Sequence, residues 1–96
     1  MRNYEVMFIV KSEIDEAAQK AVAEDVKKIF KNNGAKVTEE TDMGVKELAY
    51  EIDHHKTGHY YLFNVESENS KAVDEFSRLA IINENIIRHL VVRKDA

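Results

Sequence analysis

The residues best suited to chemistry in this chain lie between Gly44 and Phe63, where lysines, histidines and tyrosines are interspersed with apolar residues. His55 and His59 are four positions apart, the spacing that places two metal ligands on one face of a helix. However, Gly58 and the run of aromatic and aliphatic residues after it predict a loop entering a strand, where that alignment is lost. The chain has no cysteine and no carboxylate at a recognisable ligand spacing, so we predict no metal site.

Nucleophilic chemistry has equally little support. The serines lack a histidine and an aspartate in a catalytic pattern. A phosphate cradle after the first predicted strand would need glycines, but residues 11–13 read Lys-Ser-Glu and place an acid there. We therefore predict that the protein is not an enzyme and has no cofactor and no small-molecule substrate. The stretch is typical of a surface that holds a partner.

The stretch between Gly44 and Phe63 has local positive charge, although the chain as a whole is acidic. Lys46 and Lys56 flank a predicted polar loop with His54, His55 and His59 nearby, and its positive potential would grow as the histidines protonate below about pH 6.5. The whole chain has a net charge of -4, with 8 Lys and Arg against 10 Asp and Glu in residues 1–48 and 6 against 8 in residues 49–96. Any nucleic-acid site must therefore come from local segregation of charge, and neutralisation of phosphates by this chain alone would be weak.

Length and composition limit the architecture. The 96 residues allow one domain covering 1–96, and 44% hydrophobic with 33% charged residues is typical of a folded soluble protein. No apolar run approaches the ~18 residues of a membrane span, and the N-terminus lacks the layout of a signal peptide. The absence of cysteine excludes a disulfide framework and is consistent with a cytoplasmic location.

Hydrophobic periodicity predicts the order strand, helix, strand, strand, helix, strand. The predicted strands cover 3–10, 35–43, 59–66 and 86–93, and the predicted helices cover 15–33 and 71–82. Asp15 and Ser70 are candidate N-caps, and Asn33-Gly34 predicts a left-handed helix stop. The first strand is apolar on both faces, which is typical of a central strand, whereas the charged alternation of 35–43 predicts an edge.

This order predicts an α+β, ferredoxin-like βαββαβ fold: a four-stranded antiparallel sheet with two helices on one face. We expect function on the uncovered face of the sheet or at its edges and loops. Tyr60 and Leu62 point away from Tyr61 and Phe63, so one of these pairs must face away from the helices.

A short strand is predicted around residues 48–52. Alternation places Leu48, Tyr50 and Ile52 on one of its faces, with Leu48 and Ile52 in the core or against a partner. Tyr50 keeps a polar tip that could stack or donate a hydrogen bond at an interface.

Four segments resemble the bacterial small-subunit ribosomal protein six (S6) family, in family order and at family spacing. They read Met1-Arg2-x-Tyr4-Glu5-Val6, Gly44 followed by Lys46-x-Leu48-Ala49-Tyr50-Glu51-Ile52, Gly58-x-Tyr60, and Ile86-Ile87-Arg88-His89-x-Val91-Val92. The resemblance implies a ribosomal structural protein, associated with the ribosome in the cytoplasm. It would bind the central domain of the small-subunit ribosomal RNA together with ribosomal protein S18. Where the family commonly has Trp-Gly and a basic pair, residues 43–47 read Met-Gly-Val-Lys-Glu.

The candidate RNA-binding residues are Arg2, Tyr4, Lys46, Tyr50, Lys56, Arg88 and Arg93. The cations would contact phosphates and the tyrosines would shape the interface. Arg2 could instead be a solvated terminal charge, and Arg88 could neutralise acids on a neighbouring strand. A basic partner would supply the potential that this acidic chain lacks. The alternative, from a different class, is a ligand-sensing or oligomerising ferredoxin-like module that does not bind RNA.

Overall fold

A computed structural model describes residues 2–52 and 55–94. The elements are β1 (Arg2–Lys11), α1 (Glu16–Asn32), β2 (Lys36–Ile52), β3 (His55–Ser67), α2 (Lys71–Ile82) and β4 (Ile86–Arg93). The strands pair antiparallel in the order β2-β3-β1-β4. The predicted ferredoxin-like architecture is confirmed, with β1 in the centre of the sheet and β2 at an edge, as their patterns indicated.

The core lies between the sheet and the two helices. Alternate residues of the central strands point into it, and its largest fully buried side chains include Phe8, Phe30, Phe63 and Phe76. The Phe8 ring stacks on Tyr61 with 5.2 Å between ring centroids and meets Phe63 edge-on at 5.3 Å. Tyr61 and Phe63 are therefore the pair that faces the helices, which leaves the other two residues of that strand pattern on the open face.

The helix ends follow the sequence only in part. The Asp15 carboxylate accepts a hydrogen bond from the backbone N–H of Ala18 at 2.7 Å, so the predicted cap of α1 is present. Gly34 has φ +77° just after this helix, as a left-handed stop requires. Ser70 occupies the N-cap position of α2 but does not cap it, because its hydroxyl donates to the Asp74 carboxylate at 3.0 Å.

The predicted loop between the middle strands is largely paired strand. β2 continues to Ile52 and β3 begins at His55, so Lys46 and Lys56 both lie within strands. Shifts of register interrupt the pairing of β2 with β3 at several places. Such bulges break the alternation of apolar and polar residues that sequence reasoning depends on, which explains the wrong prediction. Residues 53–54, which include His54, lie outside the described residues.

One of these bulges decides which way Lys46 points. The register shifts between Asp42 and Gly44, where Gly44 has φ +80° and its N–H donates to the Asp42 carboxylate at 2.9 Å. Glycine adopts this left-handed backbone without strain, which makes it suitable for the bulge. Because one residue is inserted, Asp42 faces the helices whereas Lys46 faces the open side of the sheet.

Candidate nucleic-acid interface

The open face of the sheet has lysines at the end where β2 stops and β3 begins. Lys46 is paired directly with Gly58 of β3, and β3 lies between Lys46 and β1. Lys56 lies two residues before Gly58 in β3 and therefore points to the same face. Glu47 follows Lys46 in the strand and points to the opposite face, so this acid is not positioned to neutralise Lys46.

Arginine and tyrosine complete this end of the face. Nη1 of Arg88 donates to the Tyr50 hydroxyl at 2.7 Å, and its guanidinium carbon lies 5.9 Å from the centroid of that ring. The hydrogen bond that Arg88 donates to the Tyr50 hydroxyl raises the pKa of Arg88. Lys46 Nζ lies 5.9 Å from the centroid of the Tyr60 ring. We call Lys46, Tyr50, Lys56 and Arg88 the basic end; the structure brings these four predicted residues together.

An apolar groove adjoins the basic end. It is a hollow of ≈ 390 Å³, and its apolar and aromatic lining comprises Met7, Ile9, Leu48, Tyr50, Tyr60 and Leu90. Between Glu47 and Ile52 the pairing of β2 shifts again, which lets the edge strand reach over the open face. Leu48 is buried there, whereas Leu90 remains 52% exposed. Leu48 therefore contributes to the wall of the groove as well as to packing.

The other predicted residues lie at the far end of the sheet. Tyr4 is paired with Val65 on one side and Arg93 on the other, and Arg2 begins the same strand. Tyr4 is only 6% exposed and packs in the core, with its hydroxyl accepting from Nη1 of Arg2 at 3.4 Å. At about 3.3 Å per residue, β1 separates Arg2 from Lys11 by about 30 Å. The predicted RNA-binding residues therefore form two groups at opposite ends of the sheet. A direct contact of Tyr4 with RNA stays a prediction, and the burial of this side chain does not favour it.

A buried histidine holds β2 against α1. His59 is 7% exposed, with Nδ1 2.5 Å from Oε1 of Gln19 and Nε2 2.5 Å from Oδ1 of Asp42. Nε2 of Gln19 donates to the carbonyl of Ile14 at 2.8 Å, which fixes the orientation of the amide. Both ring nitrogens of His59 therefore face oxygen acceptors. Sequence reasoning considered this residue only as a metal ligand or as a source of positive potential, and missed its role in positioning the edge strand.

The same cluster changes the acidity of its neighbours. Burial would raise the pKa of Asp42, but the hydrogen bonds from His59 and from the N–H of Gly44 outweigh it, and the pKa lies below its usual value. The Tyr61 ring stacks on His59 with 4.3 Å between centroids, and burial raises the pKa of its hydroxyl. The folded state therefore favours the ionised form of the Asp42 side chain.

His55 and His59 do not form a metal site with one another. His55 and His59 are separated by about 13 Å along an extended strand, and His55 instead pairs with Glu13. Among the residues that the structure describes, no group of three or more His, Cys, Asp or Glu side chains could hold a metal ion. No helix in the described ranges is long and apolar enough to cross a membrane.

These features define the class: a ferredoxin-like α+β protein with one helix-covered and one open sheet face. Residues 3–93 match the model of the ribosomal protein S6 family, and the chain belongs to this family of structural proteins of the small ribosomal subunit. The crystal structure of 30S ribosomal protein S6 from Thermotoga maritima is similar, with a TM-score of 0.92 and 28% sequence identity. The match covers 97% of this chain and 87% of that chain. The resemblance noted from the sequence is confirmed.

Proposed function

We propose that the protein binds the central domain of the small-subunit ribosomal RNA jointly with ribosomal protein S18 and acts there as a non-catalytic scaffold. The observation that carries this proposal is the basic end lying directly beside an apolar groove on the open face. Cations on a sheet attract phosphates, and an adjoining apolar surface offers a protein partner area to bury. Membership of a ribosomal protein family supports the same conclusion.

The RNA contacts are proposed at both ends of the sheet. At the basic end Lys46, Lys56 and Arg88 contact phosphates. The Tyr50 ring is 62% exposed and held by the arginine, so it can stack on a base or a sugar. Arg2 and Arg93 provide a second contact: Arg93 lies about 17 Å from Arg88 along β4, and Arg2 lies about 30 Å from the level of Lys46 along β1. RNA that touches both groups must extend along the molecule, as expected for a scaffold that stabilises one arrangement of RNA helices.

The protein partner is proposed to occupy the apolar groove. An acidic chain with a net charge of -4 gains little from phosphate neutralisation on its own, whereas a basic partner bound beside the basic end adds to the local positive potential. Leu90 and Tyr60 would be covered by apolar side chains of S18. In the cell the protein would be associated with ribosomes in the cytoplasm.

The test is a titration of a central-domain RNA fragment with this protein, with S18 and with both, at several salt concentrations. We expect weak binding by each protein alone, tight binding by the pair, and an affinity that falls steeply with salt. Full-strength binding by this protein alone would disprove the need for a partner.

One observation favours the alternative of a ligand-sensing module. The hollow of ≈ 390 Å³ is within the range of about 300–1,000 Å³ usual for small-molecule sites. Co-sedimentation distinguishes the two functions: a ribosomal protein sediments with small subunits that lack their own copy, whereas an independent ligand sensor stays in the supernatant.

A further inference from the structure

The cross-strand register places one more lysine beside the basic end. Gly58 of β3 is paired with Lys46 on one side and with Lys11 of β1 on the other. Directly paired residues point to the same face, and adjacent strands lie about 4.8 Å apart, so the Cα atoms of these two lysines are about 10 Å apart. Lys56 lies on the same face, two residues along the strand from Gly58. We call Lys11, Lys46 and Lys56 the lysine triad.

The centre of the triad is apolar. A Cβ atom on Gly58 would lie 2.3 Å from Cγ2 of Ile9 and 3.7 Å from Cδ1 of Ile87, so isoleucine side chains cover this glycine. Lysine stems can lie along such a surface while their ammonium groups remain in water. Because apolar surroundings lower the effective dielectric constant, an anion between the ammonium groups is attracted more strongly than on a fully hydrated surface.

The acids nearest in sequence to Lys46 and to Lys11 are directed elsewhere. Glu47 points to the helix-covered face, and the carboxylate of Glu13 pairs with His55 on that side. Where the structure describes both side chains, no member of the triad forms an ion pair. Ammonium groups gathered in this way, without a counterion from the described side chains, favour the binding of an anion with several charges.

We infer that Lys11 is a phosphate-contacting residue and that the lysine triad holds the RNA backbone at this end of the sheet. The inference rests on the proposed function and adds a residue from β1 to a site predicted from other strands. Ammonium groups attract phosphate as point charges, without the fixed fork of a guanidinium. The triad therefore orients the backbone and has no preference for base sequence.

The test measures the salt dependence of RNA binding by the complex of the full-length chain with S18. Lys11→Gln should reduce the slope of log affinity against log salt by about one unit, equally for different RNA sequences. Lys28→Gln is the matched control, because it removes the same charge from an exposed position on α1, and it should leave the slope unchanged. Lys11→Arg preserves the charge and should retain the slope.

Each outcome has a separate meaning. If the unmodified complex binds RNA tightly and Lys11→Gln behaves like Lys28→Gln, the role of Lys11 is wrong and the proposed function stands. If the unmodified complex does not bind the RNA, the proposed function and the triad are both overturned. If Lys11→Gln weakens association with S18 in the absence of RNA and leaves the salt slope unchanged, the residue belongs to the protein interface and the inference is overturned.

Discussion

The two faces of the sheet are built from the same strands but differ in how deeply their side chains are buried. On the helix-covered face Phe8, Phe63 and Val65 are almost fully buried and pack against α1 and α2. On the open face the alternating residues of the same strand β3, such as Tyr60 and Leu62, are only half-buried. The difference shows how one strand can serve two purposes: one set of alternate side chains stabilises the fold, and the other is available for binding.

The largest effect is expected from the helix-covered face. Phe76 is fully buried, with its ring centroid 5.8 Å from that of Phe8 and 5.6 Å from that of Phe30. Phe76→Ala should lower the free energy of unfolding by about 3–5 kcal/mol, because it removes buried area and leaves a cavity. Urea denaturation measures this value. Ile81→Ala is the control: the side chain is 77% exposed and the change should be within about 0.5 kcal/mol.

A change on the open face should separate binding from stability. Leu90→Asp places a charge at a half-exposed position in the apolar groove, and we expect the urea midpoint to change little. Its affinity for S18 should fall roughly thirtyfold, about 2 kcal/mol, because the carboxylate would be buried without a partner in the complex. Isothermal titration calorimetry with S18 checks the affinity. Unchanged affinity would place the partner elsewhere on the molecule.

A smaller effect is expected at the basic end. Lys46→Gln and Lys56→Gln should each reduce the salt slope of RNA binding by the S18 complex by about one unit. Arg2→Ala should weaken RNA binding with little change in the denaturation midpoint.

Sequence reasoning predicts that Glu47→Arg, which restores the usual basic character of the family, strengthens binding. Because Glu47 points to the helix-covered face, we now expect its effect to be smaller than that of losing Lys46; an equal or larger effect would contradict this orientation.

The smallest effect concerns Asp42 at low pH. The pKa of its carboxyl is lower in the folded protein than the usual 3.8, so the folded state favours the ionised form. Its contribution to stability is complete above the unfolded value, about pH 4, and is lost as the pH falls through the lower folded value. The stability difference between wild type and Asp42→Asn should therefore shrink below about pH 4. Because the side chain is 53% exposed, the effect is modest. If the stability difference between wild type and Asp42→Asn does not change with pH, the ionisation of Asp42 does not contribute to stability.

Periodicity alone was sufficient to predict the fold. The apolar positions of β1 and of both helices follow regular spacings, and each element buries the face that its spacing predicts. The edge position of β2 also followed from its charges. The extent of β2 and β3 was not predictable, since bulges at Asp42–Gly44 and after Glu47 interrupt the alternation. Gly44 itself was the one available signal, because an isolated glycine within a strand pattern often marks a bulge.

The sequence by itself determined the element order, the helix-covered core and the family resemblance, all of which depend on local spacing. It also identified Lys46, Tyr50, Lys56 and Arg88 as candidates, although it grouped them with Arg2 and Arg93 from the opposite end of the sheet. Only the tertiary structure decided which cations are neighbours. Strand register brings residues from different strands together, and an insertion of one residue turns every following side chain to the other face.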